Sequence, residues 1–365
     1  MLKLTVTSLN IFFICFFRQA DAQTAYQSEI KNAANVIIKT FDPMQKQAAM
    51  LSFGDTARIK WNNLPVGMRA RAGVSIGNMT EEQRKLLHRI LSVTLSSQGY
   101  LKATGVLHLD NLLNMFIDTA FSRKEIDENT KKFMYDLQWG HRNYYLAFFG
   151  KPGEKNWGYK LEGHHLSVNI TFAGDIVSVT PWFIGTDPAE MPFTQYAGWR
   201  VLGEEEDLGM KLINMLSADK KKKATMSTDV PGDIITGAET SKRLIDYWGI
   251  KGSELNEIEK AVLKNIIREY VFNFEFDKAT REYDKITKAG FDNVYFGWIG
   301  SYSEYERHYF VVNGPTFLIE FDNAGGPRGQ ANHIHTIWRE KGNEYGEDIL
   351  KKHYTDEKNK ITDNK

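Results

Sequence analysis

The run Gly163-His164-His165-Leu166-Ser167-Val168-Asn169-Ile170-Thr171-Phe172 decides the fold class, because its character changes at every second residue. Side chains alternate across a strand, so Leu166, Val168 and Ile170 share one face with His164. His165, Ser167, Asn169 and Thr171 share the other. One row is apolar and suits a core. The other is polar and either meets solvent or lines a site. Ala173-Gly174-Asp175 follows as a turn, and Ile176–Ile184 reads as the returning strand of a hairpin.

Upstream the period is helical. Tyr26, Ile30, Ala33, Ile37 and Phe41 form one stripe. Asp42-Pro43 with Gln45 reads as a cap followed by proline in the first helical turn. Residues 61–79 carry Pro65, Gly67, Gly73 and Gly77 and read as irregular loop. Thr80-Glu81-Glu82-Gln83 is a capping box, followed by Leu86, Leu87, Ile90, Leu91 and Leu95, with Gly99 as the expected stop. A further helix is expected around Leu107–Ile117. Strand character begins at Asn143–Phe149. Downstream, helices are expected at Leu208–Leu216, Leu255–Tyr270 and Asp277–Ala289, then strands at Asn293–Ile299, Arg307–Val312, Thr316–Asp322 and Asn332–Trp338. Asn313-Gly314 predicts a two-residue hairpin turn. A short helix around Ile349–His353 closes the pattern.

Two strand blocks separated by helices predict an α+β fold, an N-terminal helical lobe packed on a mainly antiparallel sheet. The expected division is 1–22 as a signal peptide, 23–142 as the helical lobe, 143–354 as an α+β lobe sharing its core, and 355–365 as a polar tail.

Composition narrows the function. The 365 residues include 46 basic and 46 acidic side chains, and 42 % are apolar. That core content excludes a disordered chain, and the charge balance argues against a broad nucleic-acid surface. The single cysteine, Cys15, lies in the apolar run Ile11–Phe17, which is too short to span a bilayer. With Lys3 before it and Ala20-Asp21-Ala22 after it, this segment reads as a secretory signal peptide cleaved near Ala22-Gln23. The mature protein is then periplasmic or secreted. It has no cysteine for a disulfide, a thiolate metal site or a nucleophile, and no membrane span is expected in it.

Histidines carry the candidate chemistry. In Asn332-His333-Ile334-His335-Thr336-Ile337-Trp338-Arg339, His333 and His335 point the same way from a strand and can share one ion. His165 and His353 are the candidate third ligands. The same residues would also suit an anion site or a merely polar core. Glu320 and Asp322 offer a ligand or a base. With the two-residue turn, Arg307 faces Glu320 as a cross-strand ion pair. Pairing Asp322 with Asn332 puts Glu320 opposite Ile334, on the face away from His333 and His335, unless a bulge reverses it. Arg58, Arg69 and Arg71 with Trp61 suit recognition of a carboxylate or phosphate, and Trp157 and Trp182 flank the first histidine cluster, either to shield it or simply to pack. Gly73-Val74-Ser75-Ile76-Gly77 matches a nucleophile-elbow pattern but lacks the strand before and helix after it. The glycines of Asn323–Gly329 lack the helix a phosphate loop needs.

Several motifs occur in order: Arg58–Trp61 with Arg69, Leu95–Tyr100, Phe149-Gly150-Lys151-Pro152, Trp157 with Glu162–Leu166, Ile319–Asn323, Asn332–His335 with Trp338-Arg339, and Tyr345-Gly346 with His353. The set resembles the bacterial family catalogued as domain of unknown function number 3500, over roughly residues 27–354. The resemblance implies one collinear unit whose histidine segments are its working end, and it brings no activity with it. From the residue types the expected function is an exported metal-dependent hydrolase of a small or anionic substrate. His165, His333 and His335 hold one divalent ion, zinc in preference to copper or iron. His164, Glu320 and Arg339 serve the chemistry, and Arg58, Arg69 and Trp157 the substrate. The competing expectation is a periplasmic protein that binds a sugar or carboxylate without turnover.

Overall fold

A computed structural model of the protein describes residues 25–174, 176–238, 245–325, 331–347 and 350. The expected signal peptide, the polar tail, His353 and most of its short helix lie outside them.

The first helix, α1 (residues 25–40), buries Tyr26, Ile30, Ala33 and Ile37, the stripe read from the sequence. α2 (Pro43–Ala49) starts on an Asp42/Gln45 capping box with proline in its first turn. α3 (Glu81–Thr94) starts where Thr80 and Gln83 cap each other reciprocally, at 3.2 and 2.9 Å. It ends at Thr94 with Leu95 as its cap, not at Gly99. Gly99 instead opens α4 (Ser97–Ser122), where the Asn273 carbonyl lies 1.9 Å from where a Cβ would stand. The glycine is there to admit that carbonyl and not to stop a helix. α5 (Glu128–Asp136), α6 (Gly203–Met215), α7 (Ala218–Ala224), α8 (Glu257–Val271) and α9 (Phe276–Ala289) follow.

The strands are β1 (Met50–Leu51), β2 (Val74–Ser75), β3 (Tyr145–Phe149), β4 (Asn156–Glu162), β5 (Leu166–Ala173), β6 (Ile176–Ser178), β7 (Trp182–Thr186), β8 (Thr225–Ser227), β9 (Ile250–Lys251), β10 (Tyr295–Gly300), β11 (His308–Asn313), β12 (Phe317–Asn323) and β13 (Ile334–Glu340). They form one sheet in the order β1-β3-β4-β5-β7-β13-β12-β11-β10-β8, with β2 on β3, β6 on β5 and β9 on β10. The fold is α+β. Among the described residues only β1–β3 and β8–β10 pair in parallel. β4 was not expected, although Trp157, Tyr159 and Leu161 alternate as a strand should. The expected strand Ile176–Ile184 is broken between Ser178 and Trp182 into β6 and β7.

Helices α1, α3, α4, α6, α8 and α9 cover one face of this sheet. Leu166, Val168 and Ile170 of β5, Trp182 and Ile184 of β7, and Ile334 and Trp338 of β13 share one core with α1, α3, α4, α6, α8 and α9. Helices from both halves of the chain therefore cover the same apolar face. Burying each such aliphatic side chain is worth about 1.5–3 kcal/mol. The other face carries His165, Ser167 and Asn169, yet it too is buried. Loops and single 3-10 turns from residues 56–72, 233–238 and 344–346 lie over it, bonded to side chains of that face. β7 and β13 join the two strand blocks edge to edge, and the histidine segments end at that seam.

Candidate metal centre

Three imidazoles from the two strand blocks converge. His165 Nε2 lies 3.0 Å from His333 Nε2, and His333 Nε2 lies 3.1 Å from His335 Nε2. His165 precedes β5. Its N–H donates to the Tyr144 hydroxyl at 3.0 Å and its carbonyl accepts from Gly185 N at 2.8 Å. His333 precedes β13 and is set by its N–H donating to Asn323 Oδ1 at 3.1 Å. His335 is the second residue of β13.

β7 lies between the strands that bear these rings, and Gly185 makes their meeting possible. A Cβ there would come within 2.9 Å of His335 Cδ2 and 3.0 Å of His165 Cδ2. The two rings close over the strand where it has no side chain.

Two carboxylates orient the rings from behind. Asp110, midway along α4, accepts from His165 Nδ1 at 2.8 Å, from His164 Nδ1 at 3.3 Å and from the Tyr144 hydroxyl at 2.6 Å. Asp233 accepts from His335 Nδ1 at 2.8 Å and from Asn63 Nδ2 at 3.0 Å. A carboxylate can only accept, so each of these Nδ1 atoms carries a proton, and in the neutral rings of His165 and His335 the opposite Nε2 offers its lone pair to the trio. Burial alone would raise the Asp110 carboxyl, but His164 and His165 hold it far below the usual range. His165 is pushed down to about 3, first by burial and then by His164. His333 is likewise held well below its ordinary value, by burial, His335 and His165. Burial would also lower His335. The charge and hydrogen bond of Asp233, with Asp322 and Asp187 nearby, raise it instead.

This geometry fits a cation. An imidazole nitrogen offers either one hydrogen or one lone pair. His333 Nε2 can therefore satisfy one of its two neighbours and not both. An ion between the three nitrogens satisfies all of them. Bonds of about 2.0–2.1 Å at tetrahedral angles space ligand nitrogens about 3.3–3.4 Å apart, close to the spacing here. The three ligand atoms form a group that can hold a metal ion. A second group, Asp110, His164 and His165, shares His165 with it.

The other candidate residues fall into three sets. Asp322 pairs across the sheet with His335 and shares its face. Its Oδ1 accepts from Ala324 N at 3.1 Å, its buried Oδ2 has no hydrogen-bond partner among the described residues, and burial pushes its carboxyl up to about 8. Glu320 lies opposite Ile337 and Val311, not Ile334 and Arg307. The two-residue turn at Asn313-Gly314 is in fact a four-residue connection closed by the pair Asn313–Leu318, with Gly314 N bonded to Phe317 O at 3.1 Å. Proline at 315 has no N–H to close the shorter turn. In the next hairpin Asp322 pairs with His335 and not with Asn332, an odd shift that turns Glu320 to the histidine face. There it is fully buried and holds the 235–236 turn. It accepts from Ile235 N at 2.6 Å, from Thr236 N and Oγ1, and from the Tyr309 hydroxyl at 2.8 Å. Arg339 grips the same turn, its Nε donating to Thr236 Oγ1 at 2.9 Å and its Nη1 pairing with Glu344.

The expected substrate residues disperse. Trp157 is on the apolar face, stacked on Phe172 at 4.2 Å. Arg58 donates to Phe53 O and Tyr345 O, tying coil to coil. Arg69, with Arg71 and Trp61, lines a cleft of about 780 Å³ on the histidine face of the sheet. His164 stacks against Trp139 at 6.2 Å beside the trio. Ser75 caps a turn by accepting from Asn78 N at 3.3 Å. Asp110, Asp233 and Gly185 were not singled out from the sequence.

The class is thus an α+β protein with a carboxylate-backed three-histidine centre on a sheet face. The chain belongs to the family described as a protein of unknown function, DUF3500, whose model matches residues 23–347. No curated protein and no solved structure matches it. Among the described residues no helix is long and apolar enough to cross a membrane.

Proposed function

We propose that the protein is an exported metal-dependent hydrolase acting on a small or anionic substrate. The observation that carries this reading is the placing of the His333 Nε2 at 3.0 Å from that of His165 and 3.1 Å from that of His335, the three ligand atoms all within 4.8 Å of one another and the outer two rings backed by carboxylates. Three protein ligands leave a position for water or substrate, which catalytic sites need. The centre has no thiolate, and imidazoles backed by carboxylates suit zinc, though copper and iron also accept them. A bound ion would lower the pKa of a water towards 7 and polarise a carbonyl or phosphoryl oxygen.

The chain's own residues divide the remaining work. Asp322, whose buried Oδ2 on the face of His335 has no hydrogen-bond partner among the described residues, would take the proton from the attacking water once a bound ion had drawn its raised carboxyl pKa back down. Asp110 and Asp233 fix ring orientation and tautomer. Glu320 and Arg339 act at one remove as positioning residues, clamping Thr236 and so the segment that carries Asp233. His164 shares Asp110 with His165 and helps to place it. Export rests on the apolar segment before Ala22.

The test is metal analysis of the purified mature protein. About one equivalent of a divalent ion is expected, lost in a folded His333→Ala/His335→Ala variant, with ester or phosphoester hydrolysis abolished by chelation and by Asp322→Asn. Folded wild-type protein that takes up no metal would overturn the reading. The cleft favours a second reading, a binding protein without turnover, for which metal-free protein would stay folded and bind a small ligand.

A further inference from the structure

The cleft of about 780 Å³ is lined by no histidine of the trio. Trp61 packs on Phe183 at 4.6 Å, and Phe183 on His335 at 5.4 Å, so an aromatic wall separates the two places. Among the described residues that line the cleft, five are cationic, Lys60, Arg69, Arg71, Lys160 and Arg339, and two are anionic, Glu162 and Glu344. The whole chain balances its charges, so this excess is local.

The floor explains how the excess is held. Lys160 and Arg71 have side chains only 7 % and 3 % exposed, and they share a single carboxylate, Glu162, at 3.1 and 2.8 Å. Their other bonds go to neutral carbonyl oxygens. Lys160 Nζ donates to Ala57 O at 2.6 Å and to Lys60 O, and Arg71 Nη2 to Asn62 O at 2.8 Å and Leu64 O at 2.6 Å. Carbonyls satisfy hydrogens without cancelling charge. One buried positive charge is therefore left over, rigidly placed under an open volume, with exposed Lys60 and Arg69 at the rim. Burial pulls Lys160 and Arg71 below their ordinary values, the cost that a bound anion would relieve.

We infer that this cleft is a second binding site, distinct from the three-histidine centre, for a small organic oxyanion of carboxylate or phosphate type. The volume lies in the range of sites for small organic ligands and far exceeds one inorganic ion. Trp61 and Tyr345 give the ligand's carbon frame an apolar wall, and the guanidinium groups suit a planar or tetrahedral oxyanion.

The test titrates the mature protein calorimetrically with citrate, glucuronate and glucose 6-phosphate, with glucose and inorganic phosphate as controls. At least one organic anion is expected to bind ten or more times tighter than both controls, and the carboxylate and phosphate arms then separate the two chemistries. Lys60→Glu/Arg69→Glu, which changes only exposed side chains, is expected to weaken that anion at least tenfold. His333→Ala/His335→Ala is expected to leave its affinity unchanged, so the cleft and the metal centre can fail separately. Anions that bind no tighter than glucose would overturn the inference, as would an affinity indifferent to the double charge reversal.

Discussion

The two faces of the central sheet are built from alternate residues of the same strands and are buried in opposite ways. On one face Val168, Trp182 and Trp338 pack against helices, whose backbones satisfy their own hydrogen bonds. On the other, Ser167 and Asn169 lie under loops and single 3-10 turns, whose backbone must find partners among side chains, and His165 reaches Asp110 of α4. Glu162 accepts from Asn62 N at 3.0 Å, Lys160 donates to Ala57 O, and Glu320 accepts from Ile235 N. The comparison teaches why polar chemistry can be kept dry here. Coil covering a sheet needs buried charged side chains to bond it, and those side chains bring a preorganised electrostatic field with them.

The largest expected effect breaks the apolar face alone. Trp182→Ala removes a fully buried ring that packs on Phe274 and is expected to cost about 3–5 kcal/mol of stability, read as a lower denaturant midpoint. Metal stoichiometry of the fraction that still folds should stay at the wild-type value. Gly185→Ala attacks the polar face at one atom. Its Cβ meets the Ile334 carbonyl oxygen at 2.7 Å as well as both imidazoles, so the expected cost is about 1–3 kcal/mol together with loss of metal uptake, measured by thermal melts with and without added zinc.

A smaller change sharpens the contrast. Asp233→Asn leaves the apolar face untouched and removes the charge behind His335. The expected result is about 10–100-fold weaker metal binding in a competition titration, with stability of the metal-free protein nearly unchanged. The mildest test is pH. Asp233 raises the His335 pKa, so below that value an incoming ion must displace a proton from the ring. Metal affinity should fall as pH drops through the raised pKa, by about tenfold per unit. In Asp233→Asn the decline should begin at lower pH, because the charge that favours the proton is gone. A wild-type affinity flat from pH 8 to 5 would contradict the assignment of His335 as a ligand.

How much of this was legible depended on how local the information was. The polar row headed by His165 and the pair His333 and His335 could be read from period-two spacing. The capping boxes at Asp42 and Thr80 also read directly, because a cap is decided within four residues. Register could not be read. Pro315 lengthens the turn after Asn313, and an odd shift in the next hairpin turns Glu320 to the histidine face. Trp157 carried no mark of which face it would occupy. Asp110 and Asp233 come from a helix and a loop remote from the histidines, and nothing local distinguishes them from the other acidic residues. Gly185 looks like any strand glycine until two rings from neighbouring strands are placed over it.

The central claim is that the three Nε2 atoms enclose one ion. Crystals of the mature protein grown with equimolar zinc, measured at the zinc absorption edge, test it directly. The account predicts a single anomalous peak about 2.0–2.1 Å from Nε2 of His165, His333 and His335. Zinc bound elsewhere, with these rings in place and no peak between them, would contradict it.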